Sequence, residues 1–234
     1  MAFRFKQFSI SDDNCAMKVG ADAVLLGAWC SITGVNQILD IGTGSGVLAL
    51  MLAQRSEVIV HAIEIDPPAA GQANENALCC PWTGRLNVRN ISLQDFMSSG
   101  NQLYDLVVCN PPFFNNSLLS PAAGRNQSRH SLEMPHDLLA LAFSQLSTPE
   151  GRCCVILPVP EGIRFESLMK KYGFYPTRKM LVYPRPGKKA NRTLIQFERY
   201  DKQEFGEEIL TIRNNENEYS SAYKELTKDF YLNF

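Results

Sequence analysis

The sequence predicts an α/β fold: a mostly parallel sheet of seven strands with a closing antiparallel hairpin, and helices on both faces. Three observations lead to this prediction. From residue 37 onward, short apolar stretches rich in Val and Ile alternate with segments of helical length. A glycine-rich turn separates the first strand from the first helix, as in doubly wound folds. Residues 184–192, rich in Pro and Lys, join two apolar stretches into a long hairpin.

The first half of the pattern contains two strand–helix pairs. Residues 37–41 are a short apolar run that glycines terminate, and residues 47–54 have the length and composition of a buried helix. Residues 57–65 predict a second strand because Val and Ile are frequent in them. Two prolines, where the first turn of a helix tolerates them, then precede a helical stretch that runs to residue 78.

The second half continues the alternation. Residues 85–91 alternate between apolar and polar side chains, as in a third strand, and residues 103–109 predict a fourth strand that ends at an Asn-Pro-Pro turn. The remaining predicted elements are a helix over 135–146, a strand over 152–157, a helix over 161–172 and the two hairpin strands over 179–183 and 193–197. Strands joined in this way through helices form one parallel sheet.

Two segments lie outside this core of residues 37–200. Residues 1–36 contain an alternating apolar piece and a helix-like run over 21–31. They are too short for a separate domain, and we expect them to form a lid over the site. Residues 201–234 are an acidic appendage that we expect to pack on the core.

The charge balance excludes one class of function. Lys and Arg number 23 and Asp and Glu 24, so the formal net charge is −1. This value argues against a uniformly basic protein that binds nucleic acid through bulk charge. Residues 198–234 carry nine acids and five bases, which leaves a net charge of +3 on the first 197 residues. With 45% apolar residues, the chain can bury a full core, which excludes disorder as its main state.

The sequence predicts a cytoplasmic protein without a metal site. Its longest apolar run, residues 47–53, is far shorter than the roughly 20 residues that span a bilayer. Polar residues interrupt the N-terminal segment where a signal peptide has its apolar core. Seven cysteines without a C-x-x-C pair, and three scattered histidines, match no zinc-binding spacing. We therefore interpret the cysteines as small apolar fillers.

The glycine-rich turn, residues 40–46, predicts a cofactor site at the carboxyl end of the first strand. Its third glycine comes one place earlier than in the dinucleotide pattern G-x-G-x-x-G, which argues against NAD or FAD. Asp40, the acid of the turn, would repel a phosphate but suits an ammonium group. S-adenosyl-L-methionine has an ammonium group and no phosphate, so the turn favours this cofactor. The candidate cofactor-binding residues of the turn are Asp40, Gly42, Thr43, Gly44 and Gly46.

Residues after the next two strands complete the predicted cofactor site. Glu64 ends the second strand, where a carboxylate can accept hydrogen bonds from two ribose hydroxyls. Ile65 would cover one face of the adenine. Asp95, with Phe96 beside it, would accept a hydrogen bond from the adenine amino group. The alternative is that the glycines only turn the chain and that Asp95 caps a helix.

Asn110, Pro111, Pro112 and Phe113 follow the fourth strand and are the candidate catalytic residues. The Asn110 side-chain oxygen and the Pro111 carbonyl could accept both hydrogens of an exocyclic amine and direct the nitrogen lone pair toward a methyl donor. The prolines fix the backbone, and Phe113 would stack on a planar substrate. No acid or base is required before transfer. The alternative is a plain strand-ending turn, because Asn-Pro is common in turns.

Together, the motifs over residues 40–46, 64–67 and 110–113 resemble the class I adenosylmethionine-dependent methyltransferases that modify amino groups, which have a Rossmann-like fold. Within this class, the chain resembles the bacterial tRNA (adenine-N6)-methyltransferases that act on valine tRNA beside the anticodon, and the similarity spans nearly the whole chain. The stretches that carry this second resemblance are residues 17–29, 110–114, 129–130 and 184–188. The resemblance implies methyl transfer to N6 of adenine 37, with an anticodon stem-loop as partner. The short apolar runs predict no membrane association, and we infer no obligate protein partner.

Two basic segments gain a predicted role in RNA binding from this resemblance. Residues 178–192 contain six bases and no acid, and residues 113–132 contain two arginines and a histidine without an acid. Such segments would contact phosphates around an extruded base, although short basic runs are also common on solvated surfaces. The candidate RNA-binding residues are Arg125, Arg129, His130, Arg185, Lys188, Lys189 and Arg192.

Other substrates and a non-enzymatic role are the alternatives. An Asn-Pro-Pro-aromatic turn also serves the methylation of a protein glutamine amide, as in release-factor methyltransferases, and of rRNA at adenine N6 or guanine N2. The protein-modifying family has a larger helical domain before the sheet, and only 36 residues precede the first strand here, which favours RNA. A non-catalytic RNA-binding scaffold would not need Asn110 and Glu64, and both are present.

Overall fold

The structure is a computed structural model and describes residues 2–100, 102–112, 134–202 and 204–233. Within these residues the strands are β1 (Phe3–Arg4), β2 (Ser9–Ile10), β3 (Gln37–Ile41), β4 (Ile59–Glu64), β5 (Leu86–Asn90), β6 (Tyr104–Cys109), β7 (Ser147–Leu157), β8 (Tyr175–Tyr183), β9 (Arg192–Glu198) and β10 (Glu207–Thr211). The helices are α1 (Ala21–Trp29), α2 (Val47–Arg55), α3 (Pro67–Leu78), α4 (Leu93–Ser98), α5 (His136–Leu146), α6 (Val159–Lys171) and α7 (Ser221–Thr227). All elements predicted between residues 37 and 197 are present, although β7 and β8 begin earlier than predicted.

Eight strands of the described chain form one sheet in the order β10-β8-β9-β7-β6-β3-β4-β5, and β1 pairs with β2 separately. In the large sheet, β9 runs antiparallel to β7 and β8, and the other pairs are parallel. The mostly parallel sheet with its antiparallel hairpin is therefore confirmed.

The sheet has one strand more than the seven predicted, because residues 207–211 add β10 beside β8. Leu210 of β10 lies opposite Val182 of β8 in the parallel register. Of the residues in β10, Leu210 alone is buried, and the strand begins with two glutamates. Its sequence therefore lacks the apolar pattern that predicts a strand.

Helices cover both faces of the sheet, as predicted. One apolar cluster joins the sheet to α1 and α2, with Leu25 and Leu50 among its members. A second cluster on the other face joins it to α4, α5 and α6, with Phe143 and Phe165 among its members. Residues 47–53 of α2 are all buried, which explains why this helix has no polar face.

The two ends of the chain contact each other and the core. α1 packs against α2, and Gly27 permits the close approach, because a Cβ at this position would lie 3.0 Å from the sulfur of Met51. α7 packs against α1 and β10. Phe5 forms an isolated antiparallel bridge with Tyr231. Residues 1–36, which we call the N-terminal extension, therefore lie against the C-terminal segment, residues 201–234, as well as against α2.

The parallel strands bring several turns to one edge of the sheet, which we call the carboxyl edge. β3, β4, β6 and β8 point in the same direction. The turns that follow them, residues 42–46, 65–66, 110–112 and 184–191, consequently lie along this edge. In the described part of the chain, no helix combines the length and the apolar character needed to cross a membrane.

Candidate active site

A cavity of about 850 Å³ lies at the carboxyl edge, within the roughly 300–1,000 Å³ that is usual for small-molecule sites. We call it the main cavity. Residues from the N-terminal extension, the glycine-rich turn, the end of β4 and the turn after β6 line it, together with Met134 and Leu138 beside the start of α5. The fold thus brings together the motifs that the sequence places far apart.

The glycine-rich turn has a backbone conformation that favours glycine. Gly42, Gly44 and Gly46 have φ angles of +71°, +56° and +85°, values that residues with a Cβ rarely adopt. The amides of Gly42 and Thr43 both donate to the Ile63 carbonyl, at 2.9 and 3.0 Å. The turn is therefore held against β4 and presents backbone atoms of Gly42 and Gly44 to the main cavity.

Asp40 lines the same cavity and is almost fully buried, with 1% of its surface exposed. Its carboxylate accepts a hydrogen bond from the Thr43 hydroxyl at 2.6 Å. Burial is the main cause that raises the pKa of Asp40 to about 7; the hydrogen bond from Thr43 opposes this shift, and the nearby Glu64 contributes to it. A carboxyl group with this pKa would ionise readily beside a positively charged ligand group.

Glu64 is held by the backbone on both sides. One carboxylate oxygen accepts a hydrogen bond from the Gly44 amide at 2.8 Å and the other accepts from the Asp66 amide at 3.0 Å. Each oxygen has a further lone pair for a ligand hydroxyl. Ile65, the next residue, lines the cavity and is 49% exposed. The end of β4 therefore offers a fixed acceptor and an apolar surface side by side.

Asp95 and Phe96 are not among the residues that line the main cavity, whereas Leu93 and Gln94 of the same helix, α4, line it. The exposed Asp95 accepts a hydrogen bond from the Ser92 hydroxyl at 2.6 Å, and Ser92 caps α4 by accepting from the Asp95 amide at 3.1 Å. Phe96 is buried, with its ring 6.4 Å from that of Tyr104. The predicted contact of Asp95 with an adenine stays a prediction.

The turn after β6 contributes an acceptor to the main cavity. Asn110 and Pro112 line it, and Pro111 is buried beside them. The Asn110 side-chain oxygen is buried and has no hydrogen-bond partner among the described residues. A buried amide oxygen is costly to leave unpaired, so this atom suits a ligand N–H donor. Phe113 lies outside the described residues.

Gly46 and Asp22 have roles that sequence reasoning did not identify. Gly46 precedes α2, and a Cβ there would lie 3.3 Å from the Cβ of Ala73, so glycine lets α2 and α3 come close.

Asp22, in the first turn of α1, lines the main cavity and forms an ion pair with Arg192 at 2.7 Å. No local sequence signal marks this pair, because its members are 170 residues apart.

The basic hairpin, residues 184–192, lies at the carboxyl edge. Arg185, Lys188 and Lys189 are exposed there, whereas Arg192 pairs with Asp22. Arg125, Arg129 and His130 lie outside the described residues. Across the part of the chain that the structure describes, no group of three His, Cys, Asp or Glu side chains could hold a metal ion.

Two bases of the predicted basic segment 178–192 lie before the hairpin, in β8, and have structural partners. Arg178 forms an ion pair with Glu208 of β10, and its guanidinium lies 4.3 Å from the centre of the Trp29 ring. Lys179 lies 2.9 Å from a carboxylate oxygen of Glu166 on α6. Both side chains connect β8 to neighbouring elements and are already paired. The cations that a ligand could reach are therefore the exposed ones of the hairpin.

Known proteins resemble this chain in sequence. A family model described as "Methyltransferase small domain" matches residues 21–146. A tRNA1(Val) (adenine(37)-N6)-methyltransferase from Bacteroides fragilis is 43% identical over 231 residues, which cover 98% of this chain and 97% of that protein. The protein of the same name from Pectobacterium carotovorum is 41% identical over 232 residues, covering 98% of this chain and 93% of the relative.

Solved structures resemble the chain in fold. The crystal structure of a predicted O-methyltransferase from Agrobacterium tumefaciens has a TM-score of 0.64 at 18% identity and covers 89% of this chain and 96% of its own. A ribosomal protein L11 methylase from Lactobacillus delbrueckii has a TM-score of 0.58 at 18% identity, with 81% and 84% covered. At such low identity, these similarities establish the fold alone.

Proposed function

Because this chain belongs to the family of the tRNA1(Val) (adenine(37)-N6)-methyltransferases, with a methyltransferase small domain, we propose that it transfers a methyl group from S-adenosyl-L-methionine to N6 of adenine 37 in a valine tRNA. The observation that carries this proposal is the buried side-chain oxygen of Asn110, which has no hydrogen-bond partner among the described residues and shares one cavity with Glu64 and the glycine-rich turn.

The residues of the main cavity fit adenosylmethionine. Glu64 would accept hydrogen bonds from the ribose hydroxyls while the Gly44 and Asp66 amides hold it in place. Ile65 would cover one face of the adenine. Asp40 would stabilise the ammonium group, and a Cβ at Gly44 would meet no atom within 4 Å, so the turn leaves room beside it. When bound, the cofactor supplies a methyl group on a positively charged sulfur.

The chain's own contribution to catalysis is to hold the amino group of the target base. The Asn110 oxygen would accept one amino hydrogen and the Pro111 carbonyl the other, so that the nitrogen lone pair is freed from the ring and points to the methyl group. Pro111 and Pro112 limit the backbone torsions of the turn. No side chain has to remove a proton before transfer, and the proton leaves the product nitrogen afterward.

The exposed cations of the basic hairpin would contact tRNA phosphates next to the target base. Arg185, Lys188 and Lys189 lie on the same sheet edge as Asn110, which is where a base extruded from the anticodon loop would enter. Residues 15–23 form one wall of the main cavity, and we propose that the N-terminal extension acts there as a lid over the cofactor.

Methyl transfer to purified tRNA tests the proposal. The full-length protein is incubated with tritiated adenosylmethionine and an unmodified transcript of valine tRNA. We expect N6-methyladenosine at position 37, identified by mass spectrometry of nuclease fragments, and no label in a transcript with guanine at position 37. Label in rRNA or in a protein glutamine, with none in the tRNA, would support the alternative substrates. No label in any of them would support a binding role without catalysis.

A further inference from the structure

A second cavity, of about 360 Å³, lies next to the main cavity, and four of its nine lining residues are aromatic. We call it the aromatic cavity. Its lining includes Phe3, Arg213, Tyr219, Tyr223 and Tyr231. These residues come from the two ends of the chain. The volume is near the lower end of the roughly 300–1,000 Å³ of small-molecule sites, so the cavity suits one planar ring system and not an extended ligand.

The position of the aromatic cavity relates it to the active site. Val19, Gly20 and Ala21 line both cavities, so this short segment separates them. On the other side, the Arg213 amide donates to the Pro184 carbonyl at 3.2 Å. Pro184 is the first residue of the basic hairpin. The aromatic cavity therefore lies between the main cavity and the exposed cations proposed to contact RNA phosphates.

The side chains around the aromatic cavity hold one another in place. The rings of Tyr219 and Tyr223 stack with centres 5.0 Å apart and an angle of 15°. The Arg213 guanidinium lies 4.3 Å from the centre of the Tyr219 ring and donates to the Asn217 carbonyl at 2.7 Å. The hydroxyls of Tyr223 and Tyr231 are 3.3 Å apart. Tyr223 is almost fully buried and supports the others. A ligand would therefore meet the rings of Phe3, Tyr219 and Tyr231 and the Arg213 guanidinium, which are ordered before it binds.

We propose that the aromatic cavity binds the base of a nucleotide adjacent to the target adenine in the RNA; this inference rests on the proposed function. Aromatic rings and arginine planes are the groups with which proteins hold unpaired RNA bases, while hydroxyl and guanidinium groups bond to the base edges. Extrusion of the target adenine removes the stacking partner of its neighbours. The aromatic cavity is large enough for one base and is separated from the main cavity only by residues 19–21, so its rings can replace the lost stacking partner.

Replacement of Tyr219 tests the contact. We expect Tyr219→Ala to raise the KM for tRNA about 5- to 150-fold, the range that corresponds to loss of one stacked base. The kcat at saturating tRNA and the Kd for adenosylmethionine should stay within about twofold of wild type, and Tyr219→Phe should restore most of the KM. The matched control is Tyr200→Ala, because Tyr200 is 57% exposed and follows β9 at the opposite edge of the sheet. An unchanged KM in Tyr219→Ala would overturn the inference.

A second experiment distinguishes a base contact from a general effect on folding. Valine anticodon stem-loops that lack one base at a time, within two nucleotides of the target, are titrated against wild type and Tyr219→Ala. If the aromatic cavity holds a base, removal of that base weakens binding to wild type but has little further effect in Tyr219→Ala. Additive losses at every position would contradict the inference while leaving the proposed function intact. If wild type neither binds nor methylates the tRNA, the proposed function fails and the inference fails with it.

Discussion

The carboxylate of Glu64 accepts a hydrogen bond from the backbone amide of Gly44 at 2.8 Å, which joins the end of β4 to the glycine-rich turn after β3. The two parts of the predicted cofactor site are therefore linked directly. Gly44 has φ of +56°, so the turn that presents its amide to Glu64 depends on a conformation that favours glycine.

We expect Glu64→Gln to weaken adenosylmethionine binding about 10- to 150-fold, the range for loss of hydrogen bonds to a charged group. The substitution keeps the shape of the side chain but leaves one oxygen in place of two. Isothermal titration calorimetry measures the change, and the exposed Glu150→Gln serves as control. Unchanged affinity would show that Glu64 only braces the turn.

We expect Asn110→Ala to lower kcat for tRNA methylation at least about 100-fold, because a misplaced amino group is no longer directed at the methyl donor. The Kd for the cofactor should stay nearly unchanged, since Asp40, Glu64 and Ile65, and not Asn110, are the side chains proposed to hold the cofactor. Single-turnover kinetics and equilibrium binding measure the two quantities. A parallel loss of both would refute the assigned role.

Asp40 should make the free energy of unfolding depend on pH. Its pKa is about 7 in the folded protein against 3.8 as the ordinary value, so the folded state binds the proton more tightly. The stability that this proton contributes is present below about pH 4 and is lost as pH rises toward 7. Relative to Asp40→Asn, wild type should lose up to about 4 kcal/mol between pH 4 and pH 7.5.

Urea denaturation of the wild type and of Asp40→Asn at several pH values measures this difference. The exposed Asp201→Asn is the control for loss of a surface carboxylate, and it leaves the Asp40 carboxyl in place. Curves for wild type and Asp40→Asn that run parallel from pH 4 to pH 7.5 would contradict the assignment of the raised pKa to Asp40.

Reversing the charges of Lys188 and Lys189 should weaken tRNA binding and reduce its dependence on salt, because two phosphate contacts are lost. Filter binding over a range of salt concentrations measures the slope. Lys170 and Lys171 are the matched control pair: they are also adjacent and exposed, but they end α6 at the opposite edge of the sheet. A salt slope that changes equally in both double variants would show a general charge effect.

The fold was predictable where local pattern and final position coincide. The apolar run of α2 and the glycine turn before it identify the first βαβ unit. The position of the turn after β6 at the carboxyl edge follows because β6 is parallel to β3. α4 is too short to show a helical period in the sequence. Asp95 accepts a hydrogen bond from Ser92, so a local role at the start of α4 explains an acid at this position as well as a role in cofactor binding does. β10 forms through its pairing with β8, which includes ion pairs between the two strands, although its own apolar pattern is too weak to predict a strand.

Contacts between distant parts of the chain were not predictable. Asp22 and Arg192 pair across 170 residues, and the aromatic cavity joins residues near position 20 to residues after 210. Such juxtapositions depend on how the termini pack on the core, which no local periodicity encodes. Sequence patterns therefore identified the main cavity's motifs but not the aromatic cavity beside it.

Methylation of adenine 37 by this protein is tested most directly by the nucleoside composition of valine tRNA from a strain in which the gene has been deleted. Position 37 should carry unmodified adenosine in that tRNA, and expression of the wild-type protein, but not of Asn110→Ala, should restore N6-methyladenosine there. Valine tRNA that retains N6-methyladenosine at position 37 in the deletion strain would contradict the proposed function, and tRNA that regains it with Asn110→Ala would contradict the role of Asn110.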